Sequence, residues 1–128
     1  MDFDFSDEQD QLREAVRKWV DKAYTFDRRR TIASEGGFSA EAYQELAELG
    51  LSGLYVPEGM GGLGMGPVEG MVVMEELGRG IVLEPLSQAL IAGAILSNYA
   101  PDALAAQWGP RIASGESLVA LAYLERTA

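Results

Sequence analysis

Two adjacent carboxylates, Glu75 and Glu76, and a run of glycines at Gly59, Gly61, Gly62, Gly64 and Gly66 are the residues best able to enter chemistry. Paired carboxylates serve acid–base catalysis when they share a proton, and glycine-rich loops cradle phosphate when their amides converge. Neighbouring helical positions point about 100° apart, so Glu75 and Glu76 cannot share one proton. A salt-bridged or solvated helix face is the plainer reading. The glycine run has no GxGxxG after a strand and no Gly-Lys-Ser/Thr. It fits equally a turn whose glycines allow positive φ where the chain re-enters a core. Cys and His are both absent, with 0 of each. Thiol nucleophiles, disulfides, Ser-His-Asp triads and zinc held by His or Cys are thereby excluded.

A chain of 128 residues, 48% apolar and 23% charged, is long enough for one packed domain. Its 20 acidic and 10 basic residues leave a net charge of −10. Nucleic acid and anionic membranes reward clustered cations and are poor partners for it. The one basic run, Arg28-Arg29-Arg30, is expected in the last turns of a helix, where cations suit the dipole. Met1 leads into Asp2-Phe3-Asp4 without a basic or apolar leader, and cysteine absence fits a reducing compartment. The expectation is a soluble, cytoplasmic protein. The longest uncharged run, residues 85–101, is broken by Ser87, Gln88, Ser97 and Asn98, too short and too polar to span a bilayer.

Helices must position these residues, because the apolar spacing is helical almost throughout. Ser6 with Gln9 forms a capping box. Leu12, Val16, Trp19, Val20 and Ala23 then share a face on a first helix expected to run into residues 28–32. Ser39 caps a second helix, with Phe38 and Tyr43 as its hydrophobic staple, Leu46 and Leu49 on its buried stripe and Gly50 just past its end. Residues 51–66 hold too many glycines for regular structure. Pro67 opens a third helix whose Val68, Met71, Val72, Met74 and Leu77 predict burial on most of its circumference. Pro85 opens a fourth, uncharged helix. Ala89, Ala92 and Gly93 on it would let another element approach or leave a cavity; ordinary helix packing is the alternative. Pro101-Asp102 opens a fifth, and Gly109-Pro110 is expected to divide it from a short sixth. Residues 118–124 read as an extended segment. Its unpaired backbone calls for a following sheet domain, another subunit, or docking along the helices. The aromatics Trp19, Trp108, Tyr24, Tyr43 and Tyr55 follow buried stripes and read as core or subunit-contact residues.

Five motifs follow one another in family order: Phe5-Ser6-Asp7-Glu8-Gln9, Val56-Pro57-Glu58, Gly61-Gly62-Leu63-Gly64, Glu75-Glu76-Leu77-Gly78-Arg79 and Ala113-Ser114-Gly115-Glu116. In that order they resemble the amino-terminal helical domain of acyl-CoA dehydrogenases, over the whole chain. Glu84-Pro85-Leu86 and the chain's ending look most like the small-subunit type of pimeloyl-CoA dehydrogenase. The resemblance implies an all-α domain of five to six helices over residues 1–116. Residues 117–128 would lead into a middle β-domain.

The reaction it implies is FAD-dependent α,β-dehydrogenation of an acyl-CoA thioester, with electrons passed to an electron-transfer flavoprotein. A homo- or hetero-oligomer is implied too. The glutamate that serves the family as catalytic base belongs to a carboxyl-terminal domain, so no catalytic residue is expected here and this stretch alone is expected to be inactive. Leu86, Ala89, Leu90 and Gly93 would line the acyl channel. Tyr123, Leu124 and Glu125 would approach the flavin through their backbone, although leucine and Arg126 stand where the family carries threonine and proline. The competing reading is a non-catalytic helical module for assembly.

Overall fold

A computed structural model describes residues 4–125. Six α-helices form the domain: α1 Asp7–Ala23, α2 Phe26–Ser34, α3 Ala40–Glu48, α4 Pro67–Arg79, α5 Leu86–Tyr99 and α6 Asp102–Ala113. One-turn 3-10 helices at Leu51–Gly53 and Glu58–Met60 interrupt the long connection between α3 and α4. Among the described residues there is no strand, and no helix long and apolar enough to cross a membrane.

The expected first helix is two helices. Tyr24 turns inward, 3% exposed, and its hydroxyl accepts the Leu83 N–H at 3.1 Å. Burial pushes that hydroxyl's pKa up to about 12. Thr25 then restarts the chain as an N-cap, its hydroxyl accepting the Arg28 N–H at 3.3 Å. A buried aromatic and a threonine cap outweigh the uninterrupted helical pattern.

The basic run therefore lies at the start of α2. It is not a solvated last turn. Arg28 pairs with Glu45 at 2.8 Å and donates to the Ala23 carbonyl at 3.0 Å, while Arg29 reaches the Gly80 carbonyl at 2.8 Å. The Arg28 guanidinium, with help from Trp19 Nε1, holds the Glu45 carboxyl below the ordinary range.

Helix α1 lies against α4 along a polar seam above the apolar contact. Gln9, Arg13, Arg17 and Asp21 recur every four residues and so share one face. Gln9 Nε2 donates to Glu69 at 2.7 Å and Arg13 to Glu75 at 3.3 Å. Arg17 Nε donates to Glu76 at 3.1 Å, and Arg79 to Asp21 at 2.9 Å. Beneath the seam the core gathers Val16, Val20, Leu46, Leu51, Leu54, Val73, Leu77, Leu86 and Leu90. A second cluster joins Tyr43, Val56, Ala89, Ile112 and Ala113. Ser39 caps α3 as expected, and the Phe38 and Tyr43 rings lie 6.1 Å apart. Leu49 departs from the buried stripe and stands partly exposed.

Two further expectations are corrected. Helix α4 is not buried on most sides: α1 covers only one face, leaving Val68, Met71 and Met74 exposed. Helix α6 runs unbroken through Pro110, because Ile112 and Ala113 beyond it are drawn into the second cluster. Tertiary packing here outweighs the helix-breaking tendency of proline.

Residues 117–125 follow without regular structure. The Ser117 N–H donates to the Arg111 carbonyl at 3.0 Å, and Val119 packs against the α5–α6 cluster. Docking along the helices, one of the three partners considered for this segment, is thus partly realised.

Candidate functional site

The glycine connection folds back on itself through its own backbone. Leu63 N–H donates to the Gly53 carbonyl at 3.0 Å, Gly64 N–H to Val56 at 2.8 Å and Met65 N–H to Leu54 at 2.8 Å. Gly61 adopts a φ of 85°, open to glycine at little cost. A Cβ on Gly62 would stand 2.0 Å from the Val56 carbonyl oxygen. Gly62 serves close backbone approach, and Gly61 and Gly64 serve positive φ. The Gly61, Gly62 and Gly64 amides are spent on carbonyls of the same connection and that of Gly66 on Glu69, which leaves no convergent set for a phosphate.

That fold delivers Met65, Gly66 and Pro67 beside Tyr55 and the carboxyl-terminal half of α5. Together with Ala94 and Asn98 they enclose a cleft of about 210 Å³. Tyr55 is placed by Gly70 on α4, where a Cβ would collide with its hydroxyl at 1.7 Å. Burial, with the nearby Glu69 charge second, raises the Tyr55 pKa. At the amino end of α4 the Glu69 carboxylate accepts the Gly66 N–H at 2.9 Å. Gln9 chiefly, followed by the Glu69 and Gly66 amides, holds that carboxyl below its usual range. The helix terminus is thereby closed by its own side chain.

Along α5 the four residues expected to line the channel face the core, and the cleft residues Ala94 and Asn98 flank them one and two turns beyond Leu90. Leu86 and Leu90 enter the main core, and Ala89 the second cluster. Gly93 faces Val56, whose Cγ2 would be 3.2 Å from an added Cβ. All four are covered by this chain's own elements. The face away from the core presents Ile91 and Ile95, both exposed, and the cleft with Ala94 and Asn98 opens between the two faces. No residue of Leu86–Tyr99 carries a charge.

Tyr123, Leu124 and Glu125 stand exposed, Leu124 at 86%, and their amides take no partner among the described residues. They are free to bond a ligand edge. Arg126 lies outside the described residues.

Neither flagged carboxylate reaches the cleft. Glu75 is exposed and pairs with Arg13, whereas Glu76, 2% exposed, is gripped by Arg17 and Arg79. Arg17 foremost keeps the Glu76 carboxyl below its ordinary range against the opposing effect of burial. Residue-by-residue reading missed Ile91, Ile95 and Gln88, which accepts the Leu121 N–H at 3.3 Å. The signal for them was available, since 88, 91 and 95 recur at helical spacing on the side of α5 opposite the small residues.

The glycine loop and the uncharged helix α5 thus frame the Tyr55–Ala94 cleft. Among its described residues no group of His, Cys, Asp and Glu is arranged to hold a metal. Residues 6–116 match the family described as acyl-CoA dehydrogenase, N-terminal domain, and the chain belongs to that family. Acyl-CoA dehydrogenase FadE12 of Mycobacterium tuberculosis is 34% identical over 123 residues, covering 94% of this chain and 31% of that protein. The acryloyl-CoA reductase (NADH) of Anaerotignum propionicum is 30% identical over 135 residues, covering 100% of this chain and 33% of its own length. Among solved structures, a variant of the Tcur3481-Tcur3483 steroid ACAD superposes with a TM-score of 0.77 at 27% identity, over 84% of this chain and 30% of that one. The chain spans about a third of the length of the curated relatives it matches.

Proposed function

We propose that this domain forms one wall of the acyl-CoA site of an FAD-dependent acyl-CoA dehydrogenase. The observation that carries the reading is the junction of the glycine loop with an uncharged helix at the Tyr55–Ala94 cleft. An acyl chain is apolar, and a helix that offers it Ile91, Ala94 and Ile95 costs no desolvated charge. Leu86, Ala89, Leu90 and Gly93, the residues the family resemblance assigns to the channel, would set its depth from behind: the small Ala89 and Gly93 let α5 approach Val56, while Leu86 and Leu90 anchor the helix in the main core. The exposed apolar stripe Val68, Met71 and Met74 on α4 supports a neighbouring domain or subunit packing over this side.

Bound FAD would supply the hydride acceptor for α,β-dehydrogenation. From this chain the amides of Tyr123, Leu124 and Glu125 would meet its edge, with residues 117–128 opening a middle β-domain. The glutamate that removes the α-proton would be carried elsewhere, and this domain would contribute binding and orientation. An electron-transfer flavoprotein as acceptor, a homo- or hetero-oligomeric assembly and a cytoplasmic setting complete the reading.

The test is to purify the full product of the reading frame that carries this sequence. A yellow protein whose flavin absorbance bleaches anaerobically with a suitable acyl-CoA is expected. A colourless protein that ignores a panel of acyl-CoA thioesters would reject the reading in favour of a helical assembly module.

A further inference from the structure

Residues 117–125 make few bonds to the rest of the domain. The Ser117 N–H to Arg111 carbonyl bond fastens the segment at its start, and the side chain of Gln88 fastens it four residues on, its Oε1 accepting the Leu121 N–H at 3.3 Å. Between these two points Val119 packs against the second cluster and, with Leu96 and Trp108, lines a hollow between α5 and α6. Beyond Leu121 the amides have no partner among the described residues. Gln88 is thus the last fastening before Tyr123, Leu124 and Glu125. It stands one turn from Ile91 on the same side of α5.

From this placement we infer that Gln88 is a positioning residue, tying the segment that meets the flavin to the helix that meets the acyl chain. The inference rests on the function proposed above. Glutamine suits the task because its carboxamide oxygen accepts an amide proton without placing a charge on an apolar wall. Displacement of α5 by a bulky acyl group would move the acceptor of the Leu121 amide. Acyl-CoA and flavin binding would then be coupled through one side chain, and the coupling would act in both directions.

Two isosteric variants of the full-length protein test this. Gln88→Met keeps the volume and removes the acceptor, whereas Gln88→Glu retains an acceptor oxygen. Amide hydrogen exchange at Leu121 reads the fastening itself, and the rate of flavin release reads its consequence. For Gln88→Met we expect exchange at Leu121 to quicken about two- to tenfold, the usual worth of one such bond, with flavin released faster in proportion. Gln88→Glu should restore both towards the parent.

Unchanged exchange at Leu121 in Gln88→Met overturns the inference. So does faster exchange with unaltered flavin release, which would leave a hydrogen bond without a positioning role. Should the parent hold no flavin, the proposed function fails and the inference falls with it, while the exchange measurement still shows whether the fastening exists.

Discussion

Ile81 carries a φ of 50°, a left-handed conformation that β-branched residues rarely adopt. It follows α4 in the place where glycine usually ends a helix, and its N–H bonds the Gly78 carbonyl at 3.0 Å. Glycine is spent one position earlier, because a Cβ on residue 80 would stand 2.4 Å from Val20 Cγ1. Ile81→Gly should therefore stabilise the domain by about 1 kcal/mol, read as a higher denaturant midpoint with an unchanged slope. The glycine connection predicts the opposite. Gly62→Ala drives a methyl into the Val56 carbonyl and should cost about 3 kcal/mol. Gly59→Ala meets nothing within 4 Å and should shift the same midpoint by no more than about 0.5 kcal/mol. Equal effects at 59 and 62 would contradict the close approach.

Helix α5 owes its position to the face it buries, and its proposed contact with substrate to the face it leaves out. Ala89 is 1% exposed, so Ala89→Phe overpacks the second cluster and should lower the thermal midpoint whatever it does to specificity. Ile91→Phe projects from the open face. It should leave folding nearly unchanged while shifting kcat/KM of the complete enzyme towards short acyl-CoAs by about tenfold. An unaltered chain-length profile would remove α5 from the wall. The α1–α4 seam makes a prediction in acid. Arg17 holds the Glu76 carboxyl below its ordinary value of 4.5, so its contribution is full above that value and is lost as pH falls through the lower folded one. Stability should decline as the pH falls below the ordinary carboxyl value, and Arg17→Ala should both lower the plateau and flatten the decline. An equal acid decline in the variant would place the sensitivity elsewhere, Glu45 and Glu69 being the other depressed carboxyls.

For the molecule as a whole, the uneven distribution of apolar surface matters more than the net charge of −10. Val68, Met71 and Met74 stand out on α4, Ile91 and Ile95 on α5. Concentrated solutions of this chain should self-associate through the α4 stripe. Met71→Glu should suppress the association in sedimentation velocity while leaving the unfolding free energy within about 0.5 kcal/mol of the parent. The helices, their caps at Ser6 and Ser39, and the glycine turn were legible in the sequence, because each rests on local spacing and capping. The break at Tyr24, the continuity through Pro110 and the two-faced α4 were not. Each depends on which distant element supplies cover: Leu83 for Tyr24, Tyr43 and Val56 for Ile112, α1 for α4. In the site, residues 86, 89, 90 and 93 follow from the family resemblance, whereas the open face with Ile91 and Ile95 is defined only by which side of α5 the core covers.

The fourfold ladder between α1 and α4 also governs how this domain can be recombined. Each rung joins a position in 9–21 to one in 69–79, so a chimera with its crossover between residues 24 and 66 would inherit the two uprights from different parents. Grafts that carry both helices from one donor should fold, and those that split them should strand a glutamate in the interior.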